Sequence, residues 1–83
     1  MDLKIKDKVA VITGGGSGIG ETIALRLAVE GAKAVAVDLN KEAAGKVAAK
    51  IQAAGGKGMA IACDATKESH IDSMLKKVLE EYG

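Results

Sequence analysis

Three short apolar runs alternate with three stretches in which apolar residues recur every three or four positions. The first run, KVAVIT (8–13), is continuous and rich in β-branched residues, the pattern of a strand covered on both faces. After a glycine-rich turn, ETIALRLAVE (21–30) places Ile23, Ala24, Leu27 and Ala28 at helical spacing, with Gly31 positioned to stop the helix. KAVAVDL (33–39) is a second strand of the buried type. Asn40 can cap a second helix with Ala43, Ala44, Val47, Ala48 and Ile51 on one face, and AGGKG (54–58) ends it. MAIACD (59–64) predicts a third strand. Thr66 or Ser69 can cap a third helix, striped by Ile71, Met74, Leu75, Val78, Leu79 and Tyr82.

The order β-α-β-α-β-α predicts an α/β fold: a three-stranded parallel sheet with right-handed crossovers and helices on both faces. No linker or low-complexity segment interrupts it, so residues 1–83 are expected to form a single domain. A chain of 83 residues buries only a modest share of its surface, so help from a ligand or a second copy is expected. The apolar residues are mostly Ala, Val, Ile and Leu; Phe, Trp and Pro are absent and Tyr82 is the only aromatic. Such side chains allow a helix to lie close on a sheet, and each gains less on burial than an aromatic would.

Charge and cysteine usage exclude several classes. Twelve basic and eleven acidic residues leave a net charge of +1, with no basic stripe, which argues against nucleic acid and anionic membrane as partners. No apolar stretch approaches the roughly 20 residues of a membrane span. The N-terminal MDLKIKDK is charged and lacks a secretory segment, so a cytoplasmic location is expected. The single cysteine, Cys63, permits no internal disulfide, and with one histidine, His70, a metal site is not expected.

The candidate chemistry lies in TGGGSGIG (13–20), between the first strand and the first helix. Backbone N–H groups and the helix dipole at such a junction attract anions, phosphates above all, and glycines let them approach. A tight turn without function is the plain alternative. An ATP-type phosphate loop nearly fits GGSGIGET (15–22), but Glu21 stands where that loop needs a lysine to meet the phosphates. The pattern that fits is T-G-x-x-x-G-x-G, on Thr13, Gly14, Gly18 and Gly20. Here the sequence resembles the short-chain dehydrogenase/reductase family, residue for residue over this loop. The resemblance implies the opening half of a Rossmann fold, strand order 3-2-1, with the loop around the pyrophosphate of a nicotinamide cofactor.

Two further positions follow. Dinucleotide folds place an acidic residue at the end of the second strand to accept hydrogen bonds from the adenosine ribose hydroxyls. Asp38 lies 18 residues beyond Gly20 and is followed by Leu39; a solvated turn carboxylate is the alternative. CDAT (63–66) resembles the family's Asp-x-Thr segment, which implies that Asp64 and the Ala65 amide meet the adenine edge; a helix start is the alternative. The implied cofactor-binding residues are Gly14, Gly16, Ser17, Gly18, Ile19, Gly20, Asp38, Leu39, Asp64 and Ala65. Asp38 would repel a 2′-phosphate, Gly16 offers no cation, and Lys41 is the only base nearby, so NAD is favoured over NADP.

The family's Asn-Ala-Gly segment, catalytic serine and Tyr-x-x-x-Lys pair are absent from these residues. Tyr82 continues the apolar stripe and is read as packing, His70 as a surface residue and Cys63 as a small buried one. The chain is therefore expected to bind cofactor without catalysis, as half of a fold that stops after its third helix. An exposed strand-1 edge (8–13) predicts a homodimer, through that edge or by exchange of the third helix. A dimerising unit that binds no ligand, and an oxidoreductase completed by another chain, are the alternatives.

Overall fold

A computed structural model describes residues 6–14 and 16–82. Strands β1 (Val9–Thr13), β2 (Lys33–Asp38) and β3 (Lys57–Ala62) alternate with helices α1 (Gly18–Val29), α2 (Lys41–Ala53) and α3 (Glu68–Tyr82). The sheet is parallel throughout with order β1-β2-β3, as expected.

The register explains which helix covers which face. Ala10 pairs with Ala34 and Ala34 with Gly58; Ile12 pairs with Ala36 and Ala36 with Ala60. These rows are almost all small, so α1 and α2 lie close on them, burying Ala24, Ala44, Val47 and Ile51 against Ile12, Ala34 and Ala36. The alternate rows carry larger side chains. There Val35, Val37 and Ile61 pack with Cys63 and with Met74 and Val78 of α3.

Local signals set the element ends. The Ser17 hydroxyl accepts from the Gly20 N–H (3.1 Å) and caps α1. Asn40 does the same for α2, its Oδ1 accepting from the Ala43 N–H at 3.1 Å. Gly31, at φ +94°, turns the chain out of α1 in a conformation that other residues rarely adopt.

Three expectations are corrected. Residues 8–13 read as a strand covered on both faces, yet Val9 and Val11 are each 40% exposed. They lie on the α3 side of the sheet, and the α3 core is built on β2 and β3 rather than on β1. The third strand begins at Lys57, two residues before MAIACD, so Lys57 and Gly58 belong to it and not to the turn. Gly58 is buried under α2; a Cβ there would stand 3.0 Å from Ile51, so glycine serves packing rather than a break. Finally, α3 begins at Glu68, which puts Ser69 inside its first turn and leaves Thr66 ahead of it. Much of MDLKIKDK (residues 1–5), Gly15 of the loop and Gly83 lie outside the described residues. Among the described residues no helix is long and apolar enough to cross a membrane.

Candidate nucleotide-binding site

The C-terminal ends of the three strands open onto one depression of about 260 Å³. Thr13 and Gly14 line it from β1 and the loop, Val37, Asp38 and Leu39 from β2, and Cys63, Asp64, Ala65 and Thr66 from beyond β3. In an open parallel sheet, ligands bind outside these ends of the strands. A larger depression of about 410 Å³, bordered by Lys33, Lys57 and Tyr82, lies at the opposite end, where β2 and β3 begin. There Tyr82 packs in the α3 core and Lys33 Nζ sits 5.7 Å from its ring centroid, and burial, then Glu81, raises the phenol above its ordinary pKa.

The glycine loop is folded by Ser17. Its N–H and its hydroxyl both donate to the Gly14 carbonyl, at 3.0 and 2.7 Å, while the hydroxyl oxygen also caps α1. Gly14 itself has φ +67°, so this turn favours glycine. Gly18 and Ile19 then head the helix, where the first N–H groups have no intrahelical partner and attract negative charge. Ile19 is 79% exposed beside them. Glu21, which argued against an ATP-type loop, is ion-paired to Lys50 of α2 at 2.7 Å.

Asp38 joins the loop to the second strand. Its Oδ2 accepts from the Gly16 N–H at 3.0 Å, across 22 residues of sequence, and its Oδ1 accepts from the Asn40 N–H at 2.9 Å. Both carboxylate oxygens are thereby fixed by backbone amides, and the group still lines the depression. Asp64 is held differently. Its Oδ1 accepts from the Thr66 hydroxyl (2.6 Å) and the Thr66 N–H (3.0 Å). The Thr66 hydroxyl, then its amide, hold the Asp64 carboxyl below the ordinary carboxylate value. The Asp64 N–H donates to His70 Nδ1 at 3.2 Å, so His70 is an exposed residue that also steadies this turn.

Of the residues singled out from sequence, Gly14, Asp38, Leu39, Asp64 and Ala65 line the depression. Gly16 reaches it through Asp38, while Ser17, Gly18, Ile19 and Gly20 form the adjoining loop and first turn of α1. Thr13, Val37, Cys63 and Thr66 also line it and were not assigned. Their signal was position: each sits at, or just beyond, the last residues of a parallel strand. Among the described residues no cluster of three His, Cys, Asp or Glu side chains forms.

A parallel α/β sheet with a glycine loop after its first strand and a carboxylate at the end of its second is the architecture of a dinucleotide-binding domain. Residues 8–83 match the short chain dehydrogenase family, and this chain belongs to it. It is 38% identical over 80 residues to a 3beta-hydroxysteroid dehydrogenase of Mediterraneibacter gnavus, covering 96% of this chain and 29% of that one. Similar solved structures include ones that carry cofactor. A putative D-mannonate oxidoreductase from Haemophilus influenza with bound NAD superposes with a TM-score of 0.92, at 32% identity, over 99% of this chain and 29% of its own. A metagenomic short-chain oxidoreductase in complex with NADP superposes at 0.87, with 35% identity, over 95% of this chain and 36% of its own. The chain thus spans about a third of the length of the relatives it matches.

Proposed function

We propose that this chain binds the adenosine diphosphate end of NAD. The observation that carries the proposal is the junction at Asp38: one carboxylate ties the glycine loop to the end of β2 and lines the same depression as Asp64 and Ala65. In this reading Gly14, Gly16, Ser17, Gly18, Ile19 and Gly20 surround the pyrophosphate. Asp38 accepts from the adenosine ribose hydroxyls beside Leu39, and Asp64 with the Ala65 amide meets the adenine edge. Relatives hold NAD or NADP; Asp38 favours the first, because a fixed carboxylate repels a 2′-phosphate.

Bound nicotinamide would supply hydride chemistry. These residues hold no Tyr-x-x-x-Lys pair, so we assign them binding and not catalysis. We further propose a homodimer in which two β1 edges pair antiparallel, with exchange of α3 as the variant; the exposure of Val9 and Val11 on an edge strand favours it.

Calorimetry on Asp38→Asn tests the cofactor reading. A hydrogen bond to a charged group is worth about 1.5–3 kcal/mol, so NAD affinity should fall about tenfold to a hundredfold. Unchanged affinity would assign Asp38 to the turn alone, and no NAD binding by the wild type would leave the dimerising unit as the better reading.

A further inference from the structure

The glycine loop and α2 are joined in a closed circuit of four residues. Asp38 Oδ1 accepts from the Asn40 N–H, Asn40 Oδ1 accepts from the Ala43 N–H, and the Gly16 N–H returns to Asp38 Oδ2. The remaining link, between Ala43 and Gly16, is a close approach rather than a hydrogen bond. A Cβ on Gly16 would stand 2.6 Å from the Ala43 Cβ and 3.0 Å from both the Ala43 carbonyl carbon and the Ala44 nitrogen. Non-bonded carbons settle at about 3.5–4.0 Å, so a side chain at position 16 must push the loop off α2. That movement lengthens the Gly16–Asp38 hydrogen bond.

We propose that Gly16 and Ala43 are positioning residues whose contact orients the Asp38 carboxylate and thereby sets the preference for a ribose diol over a 2′-phosphate. The inference rests on the reading of the depression as a dinucleotide site. An ionised carboxylate offers about four lone-pair positions. The loop and Asn40, the residue that caps α2, each occupy one of them, and the carboxylate that lines the depression keeps acceptor capacity and carries no donor. Ribose hydroxyls can donate to it. A 2′-phosphate brings negative charge against it, and the circuit keeps the carboxylate from turning away.

The test has a ligand-free arm and a binding arm. Without ligand, amide hydrogen exchange at residue 16 should be slow in the wild type and fast in Asp38→Ala; fast exchange in the wild type overturns the circuit. With ligand, Gly16→Ala should weaken NAD about tenfold while moving NADP by less than about twofold. Adding Ala43→Gly should recover a large part of the lost discrimination, because it removes the closest of the three contacts. An equal loss for both cofactors, no loss for either, or no recovery in the double variant contradicts the proposal. Should Gly16→Ala not fold, the exchange comparison decides. If the wild type binds neither cofactor, the cofactor reading fails, while the exchange arm still tests the circuit.

Discussion

At the scale of single residues, the two carboxylates of the site differ in what holds them. Asp38 is bound by the amides of two segments, whereas Asp64 is held mainly by one neighbour, Thr66. The hydroxyl of Thr66 lowers the Asp64 carboxyl from its ordinary 3.8. A carboxyl depressed in the folded state adds stability that is present above the unfolded value and is lost as pH falls below 3.8 through the folded value. Asp64 is exposed to solvent at its carboxyl, so the sensitive readout is its own titration. Thr66→Val should move the Asp64 carboxyl upward toward its ordinary value, followed by NMR of the carboxyl carbon; an unmoved titration would contradict the assigned cause. Residue types and strand ends made both aspartates legible from sequence, while their amide and hydroxyl partners depend on the folded backbone. The Thr66 hydroxyl, open to a capping role in the sequence, is spent on Asp64 instead.

At the scale of elements, β1 is the least buried of the three strands. Its Ala10 and Ile12 pack under the first two helices, while Val9 and Val11 are left half-covered on the other side. On α3, Leu75 and Leu79 are 47% and 65% exposed, so the apolar stripe read from sequence is wider than the face this sheet buries. If β1 edges pair between copies, light scattering at tens of micromolar should give the mass of two chains, and Val11→Lys should return it to one. A one-chain mass for the wild type would contradict the dimer. The six elements and their order were legible because apolar periodicity changes cleanly from strand to helix. The start of β3 was not, since Gly58 has the composition of a turn, while in the fold it pairs with Ala34 of β2 and has the Ile51 side chain packed over it. Ser17 likewise read as one residue of a glycine loop, and its capping bond emerges only once the helix starts at Gly18.

At the scale of the whole molecule, three parallel strands bring residues from three distant stretches to one end of the sheet. The layering explains the division of labour: small residues let two helices approach one face, and the third helix covers β2 and β3 on the other. The glycine loop, Asp38 and Asp64 were legible as a set because each lies at or just beyond the C-terminal end of a strand of the same sheet. The Gly16–Ala43 approach was not, because it joins residues 27 positions apart whose contact depends on how α2 is seated. We propose that this end of the sheet holds the adenosine diphosphate part of NAD. Heteronuclear NMR of the chain titrated in parallel with NAD, ADP and NADP tests it most directly. Saturating shifts are expected with NAD and ADP, confined to residues 13–20, the turns around Asp38 and Asp64 and the first turn of α2, with weaker response to NADP. Flat titrations at millimolar ligand, or shifts centred on the Lys33–Tyr82 end, would contradict it.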